Sequence, residues 1–180
     1  SLGEYEQALK HHQAAYDLAK AVYAGQPRRE PADYAVSLAG TFGTLGDVEK
    51  AEALLREALA SHQALLGPES AAAAWDMMSL GLILNMKGDL GAAESLIRKG
   101  LEIYRGGAVD EDGPLAGEQS IIVDALSSLC LILYRKEAYA EAEPVAREAL
   151  EVAKRELGEQ HPQVAMALNN LGATLRQLGR

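Results

Sequence analysis

The chain has 180 residues, 48% of them hydrophobic, and 17 Lys and Arg against 26 Asp and Glu give a formal charge of −9. That length and apolar content support a packed core and exclude disorder by composition. The acidic balance opposes nucleic acid and anionic membranes as partners, since both attract clustered cations, and no apolar run reaches the roughly 20 residues of a membrane span.

Aromatics are only 5% of the chain. With alanine and leucine abundant, helices packed through small residues are favoured over a β-sandwich. No segment sustains period-two alternation. In chain order, four segments align: LGEYEQA from Leu2, LGDVEKA from Leu45, KGDLGAA from Lys87 and KEAYAEA from Lys136. A fifth begins with LG at Leu178. The second residue of each falls at 3, 46, 88, 137 and 179, giving periods of 43, 42, 49 and 42. The seventh place is always alanine, at Ala8, Ala51, Ala93 and Ala142, and Ala15, Ala58, Gly100 and Ala149 follow seven residues later. Seven residues is about two helical turns, so one face of each of these helices is kept small for a close neighbour.

Upstream of each turn lies a second periodic segment, at 32–45, 70–87, 119–136 and 163–178. Each unit therefore reads as helix A, a short turn and helix B. Breakers separate the units: Gly25 to Pro27, Gly67-Pro68, Gly106-Gly107 and Gly158 to Pro162. The expected organisation is one array over 1–180, with a helix B at 2–31, repeats at 32–69, 70–118 and 119–161, and a helix A at 162–180. Both ends cut the repeat at the same phase, which suggests a window from a longer array whose end faces could pair with another copy. The extra residues of the 49-residue period lie in the stretch 106–119. Asp110, Glu111 and Asp112 there lack the ligand spacing of a calcium loop, because Pro114 and Leu115 interrupt it.

No catalytic signature is present. Gly-rich nucleotide loops, GxSxG and HExxH are all missing. His11 and His12 are adjacent and point about 100° apart on a helix, unsuited to a shared metal. His62 and His161 have no conspicuous acidic or cysteine partner in sequence. Cys130 occupies the small-residue place of Ala39, Gly81 and Gly172, as a packed thiol would. A lone cysteine fits a reducing compartment, and a cytoplasmic location is the expectation. No cofactor and no metal are expected.

The runs YAEAEPVAREALEVAKRELGEQHPQVA (139–165) and LNNLGATLRQLG (168–179) resemble the tetratricopeptide repeat (TPR) family, and the long period resembles its kinesin-light-chain-like subgroup. The resemblance implies an all-α, right-handed superhelical solenoid of antiparallel helix hairpins, about eight helices in all. It also implies that Pro144 is tolerated inside a helix, with a kink or a lost bond. It puts the A helices on a concave wall that binds a protein or peptide partner. The implied groove residues are Trp75, Met78, Leu82, Asn85 and Met86 of the second repeat, Tyr134 and Arg135 of the third, and Asn169 and Arg176 of the fourth, with Asp33 and Asp124 at the head of the stripe. Asn170 is expected at the groove's edge.

The stripe 75, 78, 82, 85, 86 steps by three or four, as one helix face must. Leu80, Gly81 and Leu84 make a second apolar face, so Trp75 either packs within the chain or is presented to a ligand. Two functional readings follow: a non-catalytic protein-interaction module, or a structural spacer or self-association segment of a larger regulatory protein.

Overall fold

The computed structural model describes residues 2–107 and 119–180. Among them the regular structure is α-helical throughout: α1 Leu2–Val22, α2 Glu30–Leu45, α3 Val48–Leu66, α4 Ala71–Lys87, α5 Leu90–Arg105, α6 Gln119–Arg135, α7 Tyr139–Leu157 and α8 Pro162–Gln177. Helices α2–α3, α4–α5 and α6–α7 pair as hairpins. Successive pairs stack, and α4 also touches α6, which touches α8. The chain is a solenoid of antiparallel hairpins. The loop at 106–119 falls mostly outside the described residues, and so do Asp110, Glu111 and Asp112.

The tight turns explain the aligned segments. Gly46 and Gly88 end α2 and α4 in the left-handed region, at φ 83° and 92°, where a side chain is penalised. Asp47 and Asp89 then cap α3 and α5, accepting from the N–H of Lys50 and Ala92. The third turn departs from this pattern. Glu137 takes the glycine's place at φ 59°, and Ala138 leaves α7 without a side-chain cap. Helix α7 nevertheless runs on through Pro144, whose position in the second turn removes only one backbone donor.

The small-residue face does what its spacing implies. Ala51, Ala58, Ala93, Ala142 and Ala149 are buried, and Gly100 lies where a Cβ would come 2.8 Å from the carbonyl oxygen of Ala74 and 2.7 Å from Met78 Cγ. On the surface a similar ion triad recurs, with Glu52, Glu94 and Glu143 at equivalent places. Glu52 joins Arg56 and Lys87, Glu94 joins Arg98 and Lys136, and Glu143 joins Arg147 and Arg180. Each triad ties the start of one helix B to the end of the next helix A or the turn just after it.

Candidate binding groove

Helices α2, α4, α6 and α8 share one side of the solenoid, and two cavities open there. One, of about 680 Å³, lies between α2, α4 and the start of α6, over Val36, Gly40, Gly43, Ser79 and Ile121. The other, of about 380 Å³, lies between α4, α6 and α8, over Asn85, Ser127, Ser128, Leu131, Met166 and Asn170. Leu82, Met86 and Asp124 border both, so the two lie side by side along the same helices.

Its walls are largely apolar and open. Met86 is 57% exposed, Met166 41% and Leu131 39%. Between them lie polar groups without partners among the described residues: Ser79 Oγ, Ser127 Oγ and Asn85 Oδ1 are buried and make no hydrogen bond. Among the described residues, Asp124 is the one ionisable side chain on either cavity. Burial pushes its carboxyl up from the usual range, opposed by the amide of Gln163, which donates to Oδ1.

Three of the nine residues expected in the groove, Leu82, Asn85 and Met86, line these cavities. Met78 does not. It is 0% exposed and packs over Gly100 in the α4–α5 contact. Trp75 is half-buried and meets Tyr104 of α5 on its own hairpin, ring centroids 6.1 Å apart. Tyr134 stacks edge-on against Tyr139 and accepts from Gln177 Nε2 at 2.9 Å, which holds it between α7 and α8. Arg135, Arg176 and Asn169 are exposed and border neither cavity. Asn170 lines the groove in the place expected for Asn169. Ser79, Ser128 and Asn170 hold one equivalent position, a residue beyond Met78, Ser127 and Asn169, and one residue turns a side chain by about 100°.

Asp33 is likewise drawn out of the groove. It pairs with Arg29 at 3.1 Å and lies 3.3 Å from His62 Nε2. His62 is therefore not without acidic partners, because two carboxylates reach it from α2 and α4. His161 Nδ1 accepts from the N–H of Gln163 at the start of α8, and His12 contacts Thr41. Cys130 is buried beside Thr174, and burial raises its thiol pKa.

A family profile for the tetratricopeptide repeat matches residues 30–106 and 122–180, more than half of the chain. The chain belongs to the tetratricopeptide repeat family. TPR arrays generally serve in protein–protein interaction, and solved structures similar to this one include kinesin-light-chain-like repeat proteins. BtubC (BKLC) from P. vanneervenii superposes with a TM-score of 0.70 at 23% identity. The match takes in 97% of this chain and 66% of that one, so the chain spans just under two thirds of BtubC. A Podosopora anserina protein described as a putative kinesin light chain with nearly identical TPR-like repeats superposes at 0.70 and 15% identity. That match covers 98% of this chain and 80% of the other. A single-substitution form of the same protein gives 0.71. At these identities the likeness is one of fold. No curated protein matches the sequence.

Among the described residues no group of His, Cys, Asp and Glu could hold a metal, and no helix is long and apolar enough to cross a membrane.

Proposed function

We propose that the chain is a non-catalytic protein-interaction module, a single repeat array that holds a segment of a partner protein along the groove of α2, α4, α6 and α8. The observation that carries this reading is the exposure of Met86, Leu131 and Met166 around one cavity, beside polar atoms that have no partner among the described residues. Exposed methionine and leucine in a groove adapt to a partner's side chains. A catalytic reading finds no support there, since no His or Lys among the described residues lines the cavities to activate their serine hydroxyls.

The test is comparative capture from a lysate of source cells, read by mass spectrometry. Folded Met86→Asp should lose a protein that the wild type retains. A charge change at exposed Glu151 of α7, away from the groove, should keep it. Identical captures by all three proteins would contradict the reading.

A second reading, a spacer or self-association segment, is favoured by exposed Leu18 and Val22 on α1 and Leu168 on α8. It predicts a solution mass that rises with concentration and returns to monomer in Leu168→Asp.

A further inference from the structure

We propose that the groove takes a partner segment carrying a lysine or arginine between aliphatic side chains, with the cation seated on Asp124. This rests on the groove reading above and adds the chemistry of the occupant.

Three groups facing the groove can accept hydrogen bonds from a cation. Asp124 borders both cavities and lies where they meet, and its carboxylate can accept about four hydrogen bonds. The Gln163 amide donates to Oδ1, and no Lys or Arg among the described residues forms an ion pair with the carboxylate. On the α4 side of the smaller cavity, the carbonyl oxygen Asn85 Oδ1 is buried and unpaired. Ser127, itself buried on the wall of that cavity, has an unpartnered Oγ. An ammonium brings three donors and a guanidinium five, with no acceptor to conflict.

The rest of the wall fits what flanks the cation. Met86 and Leu82 of α4 stand on one side, Ile121 and Leu131 of α6 and Met166 of α8 on the others. Aliphatic neighbours of the cation would cover these side chains, and the methylenes of the Lys or Arg itself can lie along them. An acidic segment is disfavoured. It would bring a carboxylate against Asp124, with no Lys or Arg among the described residues of the groove wall to receive it. The chain's −9 charge also attracts basic segments at long range. Asp124 thus contributes both affinity for the cation and rejection of acids, beside the apolar contacts.

A displayed library of random peptides, selected on the intact chain, tests this. Bound sequences should be enriched in Lys or Arg with aliphatic neighbours and depleted in Asp and Glu. A synthetic binder should lose about tenfold or more in affinity when its basic residue becomes Gln, and about as much against a folded Asp124→Asn chain. The peptide substitution reads the same contact if Asp124→Asn fails to fold. Binders that need Met86 but carry no basic residue, or that bind both chains equally, overturn the inference and leave the groove reading standing. A selection in which no binder is weakened by Met86→Asp overturns the groove reading and this inference with it.

Discussion

His62 Nδ1 lies 2.7 Å from Asp76 Oδ2, with both side chains buried, and this contact joins α3 to α4 across the boundary between two hairpins. Asp33 of α2 approaches the other ring nitrogen at 3.3 Å, out of line for a full hydrogen bond, and Arg29 pairs with Asp33. Burial alone would lower the imidazole pKa, but the two carboxylates outweigh it and raise it from 6.5 to about 9. Below the ordinary value the ring is charged in both folded and unfolded chains, and its stabilisation is complete. As the pH climbs from about 6.5 through 9 the unfolded chain releases the proton first, and the stabilisation is lost. The thermal midpoint should therefore fall between pH 7 and 9, a loss on the order of 2 kcal/mol. Scanning calorimetry should show this fall flattened in His62→Gln.

Removing the other member of the pair is a separate test. Asp76→Ala leaves a buried imidazole without its closest carboxylate and should cost about 3 kcal/mol or more, measured by urea unfolding. A cost within the error of the fit would mean that the pair does not hold the two hairpins together.

Gly100 sets helix preference against packing. Alanine is better than glycine in a helix by about 1 kcal/mol, and Ala58 and Ala149 hold the equivalent places. At 100, however, an added Cβ meets the Ala74 carbonyl oxygen and Met78. Gly100→Ala should therefore destabilise, by about 1–3 kcal/mol. Met78→Val, which copies Val36 of the preceding repeat, should restore part of the loss in the double variant.

The third turn leaves room for improvement. Glu137 occupies a left-handed position filled by glycine at 46 and 88. The strain of such a residue is about 1–2 kcal/mol, offset in part by glycine's freedom in the unfolded chain. Glu137→Gly should raise stability by about 0.5–1 kcal/mol, read as an increase in the thermal midpoint. Ala138→Asp, which supplies the cap found at 47 and 89, should add a similar amount.

The ion triads are partly exposed and should contribute little. Glu94→Gln removes the carboxylate shared by Arg98 and Lys136 and should cost under about 1 kcal/mol at low salt. The cost should fade in about 1 M NaCl, where screening is strong.

The fold was legible in the sequence because its repeat is covalent. LGDVEKA and KGDLGAA spell a turn, a cap and a small face in seven letters, and each letter has a local physical reason. Of the nine residues expected in the groove, three line the cavities. The resemblance put Leu82, Asn85 and Met86 on one stripe with Met78; the first three line the cavities, whereas Met78 is buried. The difference lies in the neighbour: Gly100 leaves a hollow on α5 that draws the long side chain inward. Asn169 and Asn170 pose the same problem, since one residue of register decides which of them faces the groove. The cluster at His62 left no trace in sequence, because Asp33, His62 and Asp76 come from three helices and meet only when the hairpins stack.

The measurement that tests the central claim most directly is an amide-shift map of the isotope-labelled chain with a saturating bound partner segment. The account predicts that the largest changes fall on α4, α6 and α8, around Leu82, Asn85, Met86, Leu131, Met166 and Asn170. Changes confined to α1, α3, α5 or α7, with these residues unmoved, would contradict it.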